Sequence, residues 1–305
     1  QIDAATRRNL ELTHSLSGGR GNTLLSVIDR TVTAGGARLL ERRISAPSRD
    51  LGTIHARQSA VASLVEDARL RENLREALKR CPDMDRALSR IALERGGPRD
   101  LAAIRNGLEQ AEQIASHLSA TSAQLLANSA APLTGYDAVH DLLDSALIAE
   151  PPLLARDGGF VAPGYSDELD EARQLRDEGR GVIAGLQASY ADQTGIASLK
   201  VKHNNVLGYF IETTATHAEK MLSAPLSETF IHRQTTANAV RFTTVELSEM
   251  ETRILNAGGR ALDLEKRVFE RLCGAVLEAA AQIGAAARAL AEIDFLSSLA
   301  DLAVT

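Results

Sequence analysis

From residue 33 onward, apolar side chains recur three and four apart in short blocks broken by Gly, Pro and polar clusters. That is the period of helices packed on one face. Thr33 stands as an N-cap ahead of Ala37, Leu39, Leu40 and Ile44, and the helix stops before Pro47. The pattern predicts a second helix over 53–65, with Ile54, Ala60, Val61 and Leu64 on its apolar side, and others over 68–79, 82–93 and 98–118. Pro82 and Pro98 each read as first-turn prolines, where the missing N–H costs nothing. Residues 1–12 alternate weakly and are expected to be extended or irregular; Gly18, Gly19 and Gly21 follow, then the short apolar run Leu24, Leu25, Val27 and Ile28.

The second half opens with a long polar helix over 166–190. Its expected buried stripe is Leu169, Ala172, Leu175, Gly179, Val182, Leu186 and Tyr190, with charged residues elsewhere. Another long helix starts near Glu246. Leu247, Met250, Ile254, Ala257, Ala261, Leu264 and Val268 step alternately by three and four, a short coiled-coil seam or else an ordinary amphipathic face. Gly258 and Gly259 lie within the seam helix, and Gly179, Gly181 and Gly185 within its partner. Glycines soften a helix by about 1 kcal/mol each relative to alanine.

Between these helices the period falls to two. Leu199 to Lys202 alternate, Asn204-Asn205 supplies a turn, and residues 206–212 form a strand with Leu207, Tyr209, Phe210 and Ile211. Residues 228–232 and 240–245 are two further strand candidates. Two arrangements fit: a β-module held on a two-helix arm, since a helix of ~25 residues reaches almost 40 Å, or a compact α+β domain with the strands folded back. The fold class is mainly α, a helical core with a long two-helix lever and a small β-rich insert at its tip.

Composition narrows the chemistry. With 3% aromatic residues, no Trp and abundant Ala and Leu, helix is favoured over sheet. No apolar run approaches the roughly 20 residues of a membrane span, and no signal-peptide pattern opens the chain. Cys81 and Cys273 read as two free thiols in a reducing compartment. No GxxxxGK[ST], HExxH or GxSxG occurs, and Gly18-Gly19-Arg20-Gly21 is a plain loop without the phosphate-binding lysine. No catalytic centre, cofactor site or metal site is therefore expected. The net charge of −6 argues against a uniformly basic nucleic-acid binder. Residues 195–245, however, hold five cations (Lys200, Lys202, Lys220, Arg233, Arg241) against three anions (Glu212, Glu219, Glu228), on an otherwise acidic chain. Arg233, Gln234, Thr235, Thr236, Asn238 and Arg241 cluster there, side chains that donate to phosphate oxygens without reading bases. Tyr209 and Phe210 are expected to fill the small core rather than stack on bases.

Several ordered segments resemble the MutS mismatch-repair family. They are residues 3–12, 24–33 and 36–40, Ile54-His55-Ala56-Arg57-Gln58, Pro82-Asp83, Arg86 to Arg90, Arg99-Asp100-Leu101 and Ser166 to Asp170. Leu199-Lys200-Val201, Asn204, Val206, Gly208 to Ile211, Arg233-Gln234-Thr235, Asn238-Ala239 and Arg241-Phe242 continue the likeness, as do Leu264-Glu265 and Ala291 to Asp294. Gly35, Arg43 and Ser48 depart from the pattern, where Met, Trp and Leu are usual. The resemblance implies a helical core over 1–165, a lever helix over 166–194, a clamp over 195–245, and a returning lever and core over 246–305. It implies nonspecific contact with duplex DNA backbone through Lys200, Lys202, Asn204, Arg233, Gln234, Thr235, Asn238 and Arg241. It further implies a cytoplasmic parent that dimerises with a second protomer and uses ATP and Mg in an ATPase domain after Thr305, with a mismatch-reading domain before Gln1. An alternative is a MutS-like paralogue whose lever serves protein assembly; segments 200–211 and 233–242 argue against it.

Overall fold

The computed structural model describes residues 2–305. The helices of the first half are α1 (Ala4–Asn9), α2 (Leu24–Ile28), α3 (Ala34–Ser45), α4 (Leu51–Glu66), α5 (Ala68–Lys79), α6 (Met84–Ala92), α7 (Pro98–His117), α8 (Gln124–Ala130) and α9 (Asp137–Ala146). Then come α10 (Asp167–Thr194), α11 (Ala215–Leu222), α12 (Val245–Glu278) and α13 (Ala280–Val304). The strands are β1 (Lys200–Asn204), β2 (Gly208–Thr214), β3 (Ile231–Thr235) and β4 (Ala239–Thr243). The chain is thus mainly helical with a small antiparallel sheet between helices. It divides into two units, residues 1–162 with 268–305, and residues 163–267.

In the first unit the apolar α13 lies against α3, α4, α5 and α6 and buries Ile283, Ala286, Ile293, Leu296 and Ala300. A helix apolar nearly all round can only be a core element. Short polar residues start the surrounding helices: Thr33, Asp50, Asp67 and Asp83 accept from the backbone N–H of Gly36, Thr53, Leu70 and Arg86. Asp294 of α13 accepts from the amides of Val32 and Thr33 and from the Thr33 hydroxyl at 2.6 Å, which ties α13 to the start of α3. Burial pushes the Asp294 carboxyl above its ordinary range despite these donors. The buried Arg105 guanidinium donates to the carbonyls of Leu147, Ile148 and Ala149 beyond α9. Arg43 holds its guanidinium carbon 4.3 Å from the centre of the Phe295 ring and donates to Glu292 at 2.9 Å.

Several boundaries differ from the sequence expectation. Residues 4–9 form a helix capped by Asp3, not an irregular segment; Gln1 lies outside the described residues. Pro98 does open α7, but Pro82 stands before the cap Asp83 and outside α6.

In the second unit α10 and the first part of α12 pack antiparallel. Arg173 pairs with Glu265 at 2.6 Å, Gly179 faces Ile254, and the Tyr190 hydroxyl bonds to Thr244, just ahead of α12, at 2.7 Å, so positions rising on one helix meet positions falling on the other. Of the seam expected on α12, Leu247, Ile254, Ala261 and Leu264 are buried here, while Met250 and Ala257 are half-buried. On α10 the stripe differs: Leu175 and Val182 are exposed, and Ile183 is buried between Gly179 and Leu186. A Cβ on Gly179 would stand 2.6 Å from Ile254 Cγ1, so this glycine sets the closest approach of the two helices. Gly195, at φ 66°, ends α10 in the left-handed conformation.

Candidate nucleic-acid interface

The sheet has strand order β1-β2-β4-β3, antiparallel throughout. Register decides which side chains share a face. Val201, Tyr209, Ile211, Val240 and Phe242 turn inward and join Leu186, Tyr190, Met221, Phe230 and Leu247 in one apolar cluster. The opposite parity carries Lys200, Lys202 and Asn204 on β1, Phe210 and Glu212 on β2, Arg241 on β4 and Gln234 on β3. Polar residues spread over forty positions of sequence therefore stand on one surface.

The centre of that surface is a linked cluster. Glu212 accepts from Lys202 Nζ at 2.6 Å through one oxygen and from Arg241 Nε at 3.0 Å through the other. Arg241 also donates to Gln234 Oε1 at 2.8 Å, and its guanidinium lies 4.6 Å from the Phe210 ring centroid. Phe210 is on the polar face yet buried. The hydrogen bond from Lys202 and the neighbouring Arg241 hold the Glu212 carboxyl below its usual range, so it is ionised at neutral pH.

The remaining expected contacts divide into committed and free groups. Asn204 Oδ1 accepts from the amides of Val206 and Leu207 at 2.9 and 2.7 Å, closing the β1–β2 turn. That turn begins at Asn204 as anticipated, but Val206 lies in it, exposed, rather than in the strand. Gly208, at φ 69°, brings the chain against Glu251 of α12, which accepts from Tyr209 N at 3.2 Å. A side chain at Gly208 would meet that carboxylate. Thr235 shares a hydrogen bond with the His232 ring at 2.9 Å. Arg233 is the extra residue where the β3–β4 register slips between His232 and Gln234. It and Lys200 are exposed and take no ionic partner among the described residues. Asn238 is exposed in the β3–β4 turn. Lys220, counted among the local cations, instead donates to the Thr194 carbonyl at the end of α10.

The residue that sequence reasoning undervalued is Glu212, counted only as one anion of three. The strand periodicity of residues 206–212 already put it on the face of Lys200 and Lys202 had the hairpin been paired through Asn204. Neither cysteine is a candidate for reactivity: burial pushes the Cys81 thiol up to about 12 and Cys273 up to about 11. Among the described residues no group of three or more His, Cys, Asp or Glu is arranged to hold a metal ion, and no helix is long and apolar enough to cross a membrane.

The family model described as MutS domain III matches residues 5–300. The DNA mismatch repair protein MutS of Paracoccus denitrificans is 71% identical over 303 residues, which is 99% of this chain and 34% of the relative. The same-named proteins of Ruegeria pomeroyi and Cereibacter sphaeroides are 69% and 68% identical over 304 and 305 residues, covering 99% and 100% of this chain and 35% of each relative. The chain therefore spans about a third of the length of these relatives.

Proposed function

This chain belongs to the MutS family, and on that premise we propose that it serves DNA mismatch repair by gripping the backbone of duplex DNA through its four-stranded sheet. One observation carries the reading: Lys200, Lys202, Arg241 and Gln234 share the sheet face turned away from the apolar cluster, with Arg233 and Asn238 exposed beside it. These are phosphate-donating groups without a base-reading set. Phe210 and Tyr209 are covered or turned inward, so bases have no aromatic platform to stack on.

Binding of this kind is sequence-independent and weakens linearly with log salt as counterions are released. Lys200 and Arg233 are the first contacts, because no carboxylate competes for them. Asn204 and Thr235 shape the turns and strand that present them. Residues 166–194, with the returning helix that opens 246–305, act as a lever, relaying motion between the clamp and the rest of a longer, cytoplasmic, dimeric parent. ATP and Mg belong to that parent, since the present residues contain no phosphate loop that would hold the nucleotide.

Titration of matched and mismatched duplexes at several salt concentrations tests the reading. Affinity at the nonspecific level of about 10⁻⁴ M or weaker is expected at physiological salt. Arg233→Ala and Lys200→Ala should each shallow the salt slope by about one unit and weaken both duplexes alike. A salt-insensitive constant, or a clear preference for the mismatch, would overturn it.

A further inference from the structure

Both Lys202 and Arg241 are already bound to Glu212, by one carboxylate oxygen each. A carboxylate so held resembles a bound phosphate: two anionic oxygens, one ammonium and one guanidinium. It sits in the middle of the face that Lys200 and Gln234 border. We infer that Glu212 is a built-in competitor for phosphate, occupying the two central cations of the clamp so that duplex DNA engages them only by displacing it. The inference rests on the DNA-gripping reading above and assigns that site its regulation.

Two anions contend for the same donors. A backbone phosphate arriving at Lys202 or Arg241 must break a charge-assisted hydrogen bond and then sit beside the Glu212 charge. In wild type the outer cations Lys200 and Arg233 therefore make contact, and the central pair stays with its carboxylate. The consequence is a clamp that is weak by construction and can release and rebind along a duplex.

The opposite reading is that Glu212 organises Lys202 and Arg241 into the geometry that phosphate needs. The two differ in sign. As a competitor, Glu212→Gln should tighten duplex binding by about threefold or more, the Coulomb repulsion of a carboxylate about 6 Å from a phosphate in water. It should also steepen the salt slope by about one to two units as Lys202 and Arg241 gain phosphates. Glu219→Gln on α11 makes the same change in net charge without touching these cations, and should alter the slope little. A second comparison reads the same contest from the side of the cation. Lys202→Gln should leave the slope nearly unchanged beside Glu212, and shallow it by about one unit in the Glu212→Gln background.

Fluorescence anisotropy with a fluorescent duplex in low salt reads all of these, with circular dichroism checking that each variant is folded. If Glu212→Gln binds no more tightly than Glu219→Gln, or Lys202→Gln shallows the slope equally in both backgrounds, the competitor role is overturned while the DNA-gripping reading stands. If neither wild type nor Glu212→Gln binds in a salt-dependent way, it is the DNA-gripping reading that fails, and the competitor role with it.

Discussion

Gly179 offers a sharp test of how α10 and α12 are held together. Replacing an exposed helical glycine by alanine should stabilise the helix by about 1 kcal/mol, through lower backbone entropy in the unfolded chain. Gly181 and Gly185 of α10 meet that condition, since an added Cβ has nothing within 4 Å. Gly179 does not: its Cβ would lie 2.6 Å from Ile254 Cγ1, 3.3 Å from Cδ1 and 3.4 Å from Met250 Sδ. Ile254 is buried, and a β-branched side chain in a helix has one strongly preferred rotamer, so it cannot swing clear. Overpacking of this kind costs about 1–3 kcal/mol. Gly179→Ala should therefore come out about 1–3 kcal/mol less stable than Gly185→Ala, although the two changes are identical on the helix. Urea unfolding, with hydrogen exchange at the α10 amides to report on this unit, measures the difference. The clash also predicts a coupling. Ile254→Ala should cost about 2–5 kcal/mol in the wild-type background and distinctly less in the Gly179→Ala background, where the new methyl fills part of the void. Equal gains from Gly179→Ala and Gly185→Ala would refute the close approach and the helix pairing drawn from it.

Two further outcomes are expected. The Asp294 carboxyl titrates above its ordinary value because it is buried; its contribution is thus fully present below the unfolded pKa near 4 and is lost as pH rises through the folded pKa. Over that window the stability of wild type relative to Asp294→Asn should fall, by at most about 1.4 kcal/mol per pH unit, in paired urea titrations; a difference that grows with pH would contradict it. Cys81 and Cys273, with thiols near 12 and 11, should react with a thiol reagent at pH 8 far more slowly than after unfolding, and fast native labelling of either would show it is not shielded.

What could be read from the sequence follows the strength of local signals. Thr33 and Ser166 announce their helices because a short polar side chain ahead of an apolar stripe has few other uses. The α12 seam is legible because its positions are aliphatic or small at regular spacing. The α10 stripe is not, because Val182 and Ile183 are adjacent and equally apolar, and only the partner helix decides which turns inward. α8, at seven residues, is too short to establish a period; α9 does carry one, Val139, Leu142, Leu143 and Ala146 at helical spacing, but over only ten residues; and α11 lies inside a stretch where strand alternation dominates. At the candidate interface the donor residues are evident from composition. Their grouping on one face, and the commitment of Lys202 and Arg241 to Glu212, depend on register, which a slip of one residue would invert.

The bulge at Arg233 bears on self-association as well. β3 is an outer strand of the sheet and is exposed along its whole length. Such a strand offers unpaired backbone groups to any other extended chain, including another copy of itself. An extra residue in its middle breaks the regular repeat that an incoming strand would have to match, and the arginine there adds charge repulsion between like copies. The opposite edge, β1, carries Lys200 and Lys202. Both borders of the sheet are thereby closed to edge-on stacking, which keeps an exposed β-surface usable at the concentrations where flat, uncharged strands would polymerise.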